Sequence, residues 1–128
     1  MFAYRKSSNT GNAPEIIQVL ATANESYVVG EALKLASGKA TKAAGTDAPE
    51  YICAEKKTAA SGDTLSVYLV EHNQEYETEL TAAGTLVPGT KVTISSDGLG
   101  VTATTTSGVA EVVDADGATV GSKVRVRL

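Results

Sequence analysis

One short pattern occurs four times in this chain of 128 residues and limits the folds that the chain can adopt. Each copy has a glycine, two mostly small or polar residues, and then two aliphatic residues separated by a polar one. The copies are GEALKL from Gly30, GDTLSV from Gly62, GTKVTI from Gly89 and GSKVRV from Gly121. Alternation of aliphatic and polar residues predicts β-strands with one buried face. The glycine before each strand indicates a turn, often with positive φ.

Further period-two segments extend this prediction along most of the chain. We expect strands within residues 15–22, 26–36, 50–56, 64–71, 74–80, 90–96, 99–106, 108–114 and 122–128. Asp97-Gly98, Ser107-Gly108 and Asp116-Gly117 lie between runs rich in β-branched residues, which is typical of hairpins. Residues 30–44 are the best helix candidate, but glycines and β-branched neighbours disfavour a helix there. The predicted fold class is all-β: a small antiparallel β-barrel or sandwich, built either as one unit or as two small subdomains.

The composition suggests three regions along the chain. Residues 1–14 are polar and end at Pro14, so we expect a flexible N-terminal arm, either a disordered terminus or a docking segment. Residues 15–80 are expected to form a β-barrel or sandwich subdomain. Residues 81–128 are expected to form a C-terminal β-hairpin subdomain packed on the first.

The core-forming material is light. Val, Ile, Leu and Phe together number 28 of 128 residues, whereas Ala alone numbers 19. A buried Val or Leu contributes roughly 1.5–3 kcal/mol, and a methyl-sized group about 0.8 kcal/mol. We therefore expect a folded protomer with a small stability margin, and such a protein has reason to associate with partners.

Charge and cysteine content exclude several classes of protein. A net charge of −4 and a pI near 4.9 argue against nucleic acid as a partner, because such proteins normally present a basic face. A single cysteine, Cys53, rules out an internal disulfide and suits a reducing compartment. The chain shows neither an apolar signal region nor a membrane-length apolar stretch. We expect synthesis in a cytoplasm and no membrane partner.

Motifs for cofactor or metal binding are incomplete. GTLVPGTK, residues 84–91, resembles a phosphate-binding loop, but Thr90 precedes Lys91 and a predicted strand follows where a helix is needed. DADGATVGS resembles a calcium loop through Asp114 and Asp116, but Ala118 stands at the fifth ligand position. A hairpin tip explains that segment better. We predict no cofactor and no metal site.

Candidate catalytic residues are also few. A pair of Cys53 with His72 is conceivable, but Cys53 is expected to be a small buried hydrophobe and His72 to lie at a solvent-facing strand end. Carboxylates between Glu71 and Glu79 could serve an enzyme as acid and base only at a controlled separation in a cleft. We predict that the protein is not an enzyme and assign no catalytic residue.

An acidic ladder is the least ordinary feature of the sequence. In QEYETEL, Glu75, Glu77 and Glu79 alternate with Tyr76 and residues 78 and 80, so a strand here places three carboxylates on one face. These carboxylates could bind a cation or a basic partner. Alternatively, they form a solvated face that protects an edge strand from promiscuous pairing, and we favour this second interpretation.

The order of these segments resembles that of the small head decoration, or capsid cement, proteins of tailed bacteriophages and prophages. The similarity covers roughly residues 27–128 and rests on the glycine-led strands, the SGKATKA and APEYI segments and the closing GSKVRV. It implies a β-rich structural protein, a trimer being favoured, that binds the major capsid protein outside an expanded capsid and stabilises it. It further implies a place on the virion surface after synthesis in the bacterial host cytoplasm. Such proteins have no catalytic residues to transfer.

A non-catalytic carbohydrate- or cell-surface-binding β-module is the alternative. Proteins of this kind usually present exposed aromatic side chains. This chain has no Trp, and only Phe2 and five Tyr are available.

Overall fold

The computed structural model describes residues 1–7 and 13–128, and their regular secondary structure is all β. The strands are β1 (Ala3–Ser7), β2 (Ile16–Leu20), β3 (Ser26–Tyr27), β4 (Ala32–Ala36), β5 (Lys39–Lys42), β6 (Tyr51–Cys53), β7 (Lys57–Thr58), β8 (Thr64–Leu69), β9 (Gln74–Glu79), β10 (Lys91–Val92), β11 (Ala110–Ala115) and β12 (Lys123–Arg127). Sheet A has the order β1-β9-β12-β11-β10, sheet B the order β2-β8-β6-β4-β5, and β3 pairs with β7. All strand pairs are antiparallel, which confirms the expected fold class in its sandwich form.

The four repeated glycines are bends that precede strands. Gly30, Gly62, Gly89 and Gly121 have φ values of 83°, 83°, 88° and 91°. In each case the following strand, β4, β8, β10 or β12, begins two residues later. Residues with a Cβ rarely adopt such φ values, so glycine relieves strain at each bend. The pattern thus predicted both the turn and the strand after it.

Other predictions differ from the structure in detail. The helix candidate at residues 30–44 is the β4–β5 hairpin, closed by Ser37 and Gly38, which both have positive φ. Strands β1, β5 and β7 were not expected from the sequence. Residues 99–106, expected to form a strand, form only isolated bridges at Val101, which pairs with Leu80 and Ile94.

The core lies in two layers. One cluster lies between sheet A and one face of sheet B; its members include Phe2, Ile52, Tyr76, Ile94 and Val124. The second cluster lies on the opposite face of sheet B and includes Tyr27, Leu33, Cys53, Leu65 and Val67. The Tyr27 hydroxyl donates a hydrogen bond of 2.7 Å to the carbonyl of Ala40, which satisfies the buried phenol.

The N-terminal region does not form the expected arm in its first part. Phe2 is 2% exposed in the larger core cluster, and Ala3–Ser7 pair with β9 at the edge of sheet A. The flexible-arm prediction is wrong for residues 1–7, because an aromatic side chain and an antiparallel ladder hold them. Residues 8–12 of that prediction lie outside the described residues.

The division of the chain between sheets also differs from the predicted boundary at residue 81. Sheet B uses residues 16–69, whereas β9, which precedes that boundary, pairs with β1 and β12 in sheet A. Apart from β1, which belongs to sheet A, the chain therefore passes from sheet B to sheet A between β8 and β9.

Candidate functional site

The acidic ladder on β9 lies between two strands that carry cations. Glu75, Glu77 and Glu79 project from the outer face of sheet A, as the alternation predicted, with β1 on one side and β12 on the other. We call the charged residues gathered there the paired-charge face; they are Arg5, Lys6, Glu75, Glu77, Glu79, Glu111, Lys123, Arg125 and Arg127. It includes all three arginines of the chain.

Glu75 is the most buried member of this face. Its side chain is 3% exposed, and three cations surround it: Arg127 Nη2 at 3.2 Å, Lys6 Nζ at 3.7 Å and Arg125 Nε at 3.9 Å. Arg127 donates the one hydrogen bond among these contacts. Among the described residues, Glu75 Oε1 and Arg125 Nε have no hydrogen-bond partner although both atoms are buried. The carboxylate is therefore held mainly by charge from two flanking strands.

The other two ladder carboxylates each have one dominant partner. The Arg5 guanidinium donates a 2.7 Å hydrogen bond to Glu77 and lowers the pKa of that carboxyl. Lys123 Nζ lies 2.6 Å from Glu79, which lowers the pKa of Glu79 and raises the pKa of Lys123. Both groups are more exposed than Glu75, so these bonds are screened by solvent.

These contacts correct the favoured interpretation of the ladder. Strand β9 is an interior strand of sheet A, so its carboxylates cannot protect a sheet edge. They instead attach the edge strand β1 and the neighbouring strand β12 through cross-strand ion pairs. No group of three or more His, Cys, Asp or Glu side chains that could hold a metal occurs within residues 1–7 and 13–128.

A shallow depression adjoins the paired-charge face at the start of β1. Its volume is about 270 Å³, and its lining includes Met1, Arg5, Glu77, Glu79 and Lys123. The charges in it are already paired with one another, and the terminal amine of Met1 donates a hydrogen bond to the Leu99 carbonyl. Burial lowers the pKa of that amine. The arrangement can strengthen the edge of sheet A without any ligand.

Cys53 and His72 are not brought together. Cys53 is fully buried in the second core cluster, and burial raises the pKa of its thiol. His72 is exposed, lies 3.3 Å from the Leu128 carbonyl through Nδ1 and lies 3.6 Å from Glu111 through Nε2. The structural roles expected for both residues match these positions.

The two loop motifs also take ordinary structural positions. Residues 84–91 lead into strand β10, so no helix N-terminus follows Lys91. Asp114 lies opposite Arg125 in the β11–β12 pair, and Asp116 begins the loop that joins those strands. The segment that resembles a calcium loop, residues 114–122, is therefore part of a hairpin, as expected.

All six aromatic side chains are at least partly covered. Phe2, Tyr27 and Tyr76 are buried, and the other three tyrosines are half-buried. Burial raises the pKa of Tyr76, whose hydroxyl donates a 2.9 Å hydrogen bond to Gln74. These side chains fill the core rather than form the exposed aromatic platform of a carbohydrate-binding surface.

Strand β2 stands apart from the other edges of the two large sheets. The edge strands β1, β5 and β10 all carry Lys or Arg, whereas β2, with the sequence IIQVL, carries no charge. Ile16 is 58% exposed and Leu20 is 48% exposed, with Gln18 between them on the same face. Charged residues on edge strands discourage pairing with other chains. Within Ile16–Leu20 this edge lacks that protection, whereas Ala21, directly after the strand, forms an isolated bridge with Ala40 of β5.

The backbone of β2 has groups directed away from its neighbour. Ala21 donates to the Asp63 carbonyl at 2.9 Å, and Leu69 donates to the Glu15 carbonyl at 3.1 Å. Hydrogen-bonded residues alternate in antiparallel pairs, so the backbone groups of Ile16 and Gln18 point away from β8. An uncharged strand with outward backbone groups and exposed apolar side chains can pair with an extended segment of another chain.

The burial of one carboxylate, that of Glu31, was not predicted from the sequence. Glu31 is 2% exposed, its Oε2 accepts a 3.1 Å hydrogen bond from the Val28 amide, and Lys42 Nζ lies 3.9 Å from its Oε1. Burial raises the pKa of Glu31, and the hydrogen bond and Lys42 oppose that shift. Its position directly after the Gly30 bend gave no signal of burial.

Comparisons with protein-family models, curated proteins and solved structures find no match to this chain. Within residues 1–7 and 13–128, no helix has the length and apolar character needed to span a membrane.

Proposed function

We propose that this protein is a structural virion protein that binds the outside of an expanded phage capsid and stabilises it. The observation that carries the proposal is the β2 edge, which is uncharged and exposes Ile16 and Leu20. On a molecule whose other large-sheet edges carry cations, this strand is suited to contact between protein chains. The resemblance of residues 27–128 to head decoration proteins is the reason to propose the major capsid protein as the partner.

The proposed affinity comes from repetition rather than from one strong site. A five-residue edge strand gives a small contact, and small contacts are weak singly. An oligomer that presents several copies to a repeating shell converts weak contacts into tight overall binding. A homo-oligomer, with a trimer favoured, is therefore part of the proposal.

Co-sedimentation with expanded heads of the cognate phage tests the proposal. Binding should saturate at a fixed ratio to the shell protein. Ile16→Lys should reduce retention at least tenfold, because it adds a charge to the uncharged edge. Val120→Lys is the matched control: Val120 is 66% exposed in the β11–β12 loop of sheet A, whereas β2 belongs to sheet B, and its replacement should leave binding unchanged.

Three outcomes would count against the proposal. Failure of the unaltered protein to sediment with any such head would remove the capsid assignment. Equal loss with both lysine variants would remove β2 as the contact. A monomer in light scattering at micromolar concentration would remove the avidity argument. Point changes are preferable to deleting residues 1–14, because that deletion also removes Phe2 from the core.

A further inference from the structure

Asp is followed directly by Gly at two positions in the chain, and the two Asp-Gly pairs differ in their hydrogen bonds and exposure. Asp97-Gly98 lies in the turn after Ser95, and Asp116-Gly117 lies in the loop between β11 and β12. An aspartate followed by glycine can form a cyclic imide, because a residue without a Cβ leaves its amide nitrogen open to attack on the preceding side chain. Whether this occurs depends on how freely the carboxyl carbon and that nitrogen can approach.

At Asp97 both reacting groups are held in other contacts. Its Oδ1 accepts hydrogen bonds from Ser95 Oγ at 2.5 Å and from the Leu99 amide at 2.9 Å. The Gly98 amide donates to the Ser95 carbonyl at 3.0 Å, and the Gly98 carbonyl accepts from Ala32 at 2.8 Å. Gly98 is buried. The carboxylate and the glycine nitrogen are therefore directed to different partners in this turn.

At Asp116 both reacting groups are free. Asp116 and Gly117 are exposed. Within the described chain, the Asp116 carboxylate makes no hydrogen bond or ion pair and the Gly117 amide has no acceptor. Only the Asp116 amide is bound, at 2.9 Å to the Lys123 carbonyl. The Lys123 ammonium is already bonded to Glu79. No hydrogen bond or ion pair from the described residues holds the Asp116 side chain away from the next nitrogen.

We propose that Asp116 is a site of spontaneous isoaspartate formation and that Asp97 is protected from it. The Gly117 nitrogen attacks Asp116 Cγ, a C–N bond forms, and one carboxyl oxygen leaves as water with the amide proton and the acid proton. Water then opens the resulting ring. Attack at the former side-chain carbonyl restores aspartate, and attack at the main-chain carbonyl gives isoaspartate. Water is the only co-reactant, and no electrons are gained or lost.

Prolonged incubation of the folded protein at 37 °C, followed by peptide mapping and enzymatic methylation of isoaspartate, tests the proposal. Isoaspartate should accumulate at Asp116 at least tenfold faster than at Asp97. In denaturant the two rates should become similar, because the contacts that protect Asp97 are lost. Asp116→Glu should abolish the signal at this position, since the corresponding ring is larger, while leaving Asp97 unchanged.

Two results would overturn the inference. Equal rates at both steps in the folded protein would mean that hydrogen bonding at Asp97 is not protective. Absence of isoaspartate at Asp116 in the folded protein, with formation in denaturant, would mean that the loop restrains Asp116 as well. The capsid proposal is not involved in either result.

Discussion

Replacement of Glu75 by glutamine should destabilise the protein, although it removes only one charge from the outer face of sheet A. Glu75 is 3% exposed and lies within 3.9 Å of three cations. Removing one partner from a buried ion pair costs about 3–5 kcal/mol. Here the cations left behind are 30–62% exposed and can regain water. A charge-assisted hydrogen bond contributes about 1.5–3 kcal/mol, so we expect Glu75→Gln to lower the free energy of unfolding by about 2 kcal/mol.

Urea unfolding and thermal melting measure this effect. For a chain of this size, a loss of about 2 kcal/mol corresponds to a Tm lower by roughly 8 °C. Glu79→Gln is the matched control, because it makes the same change on the same strand at a half-exposed pair with Lys123. We expect a much smaller shift for that control, since solvent screens the pair.

A double-mutant cycle with Glu75→Gln and Arg127→Gln measures the interaction between these two residues separately from their other contacts. Glu75 and Arg127 are in direct contact at 3.2 Å, so the losses of the two single variants should not add. Equal losses for Glu75→Gln and Glu79→Gln, or full additivity in the cycle, would refute the reasoning that burial strengthens this network.

Two further predictions concern the buried carboxylate and the glycine bends. Because the pKa of Glu31 is raised, this group stabilises the folded state below the unfolded pKa of about 4.5, and the stabilisation is lost as pH rises through the folded pKa. Glu31→Gln should therefore be at least as stable as the unaltered protein at pH 7, and the difference in stability should vanish in acid. A large loss of stability at pH 7, measured by urea unfolding, would contradict this prediction. Gly121→Ala should cost about 1–2 kcal/mol, because φ is 91° although no atom lies within 4 Å of the added Cβ; Gly121→Asn should cost less, and an alanine variant of unchanged stability would show that the bend relaxes.

The sequence predicted local structure better than it predicted pairing. The four glycine bends and eight of the nine expected strand segments rest on patterns within a few residues, and such patterns are visible in one sequence. The short strands β5 and β7 were missed because two to four residues give little periodicity. Strand β1 was missed because polar residues follow Phe2 and Ala3, and its partner β9 lies far along the chain.

The role of the acidic ladder was not predicted for the same reason: patterns within a few residues do not show which strands pair. Alternation placed Glu75, Glu77 and Glu79 on one face correctly, but their role depends on which strands lie beside β9. The complementary alternation of Lys123, Arg125 and Arg127 was a usable signal, since cross-strand pairs of opposite charge stabilise sheets. The burial of Glu75 and Glu31 arises from tertiary packing, and no local pattern encodes it.

The pairing of β1 with β9 has a consequence for how the chain folds. All strands of sheet B come from one continuous stretch, residues 16–69, whereas Arg5 and its partner Glu77 are 72 positions apart. Synthesis at about 5–20 residues per second delays that meeting by roughly 4–14 s. Sheet B can therefore assemble on the ribosome first, whereas β1 remains unpaired and Phe2 remains uncovered until β9 has been synthesised. Slow, non-local closure of sheet A is then the expected rate-limiting step of folding.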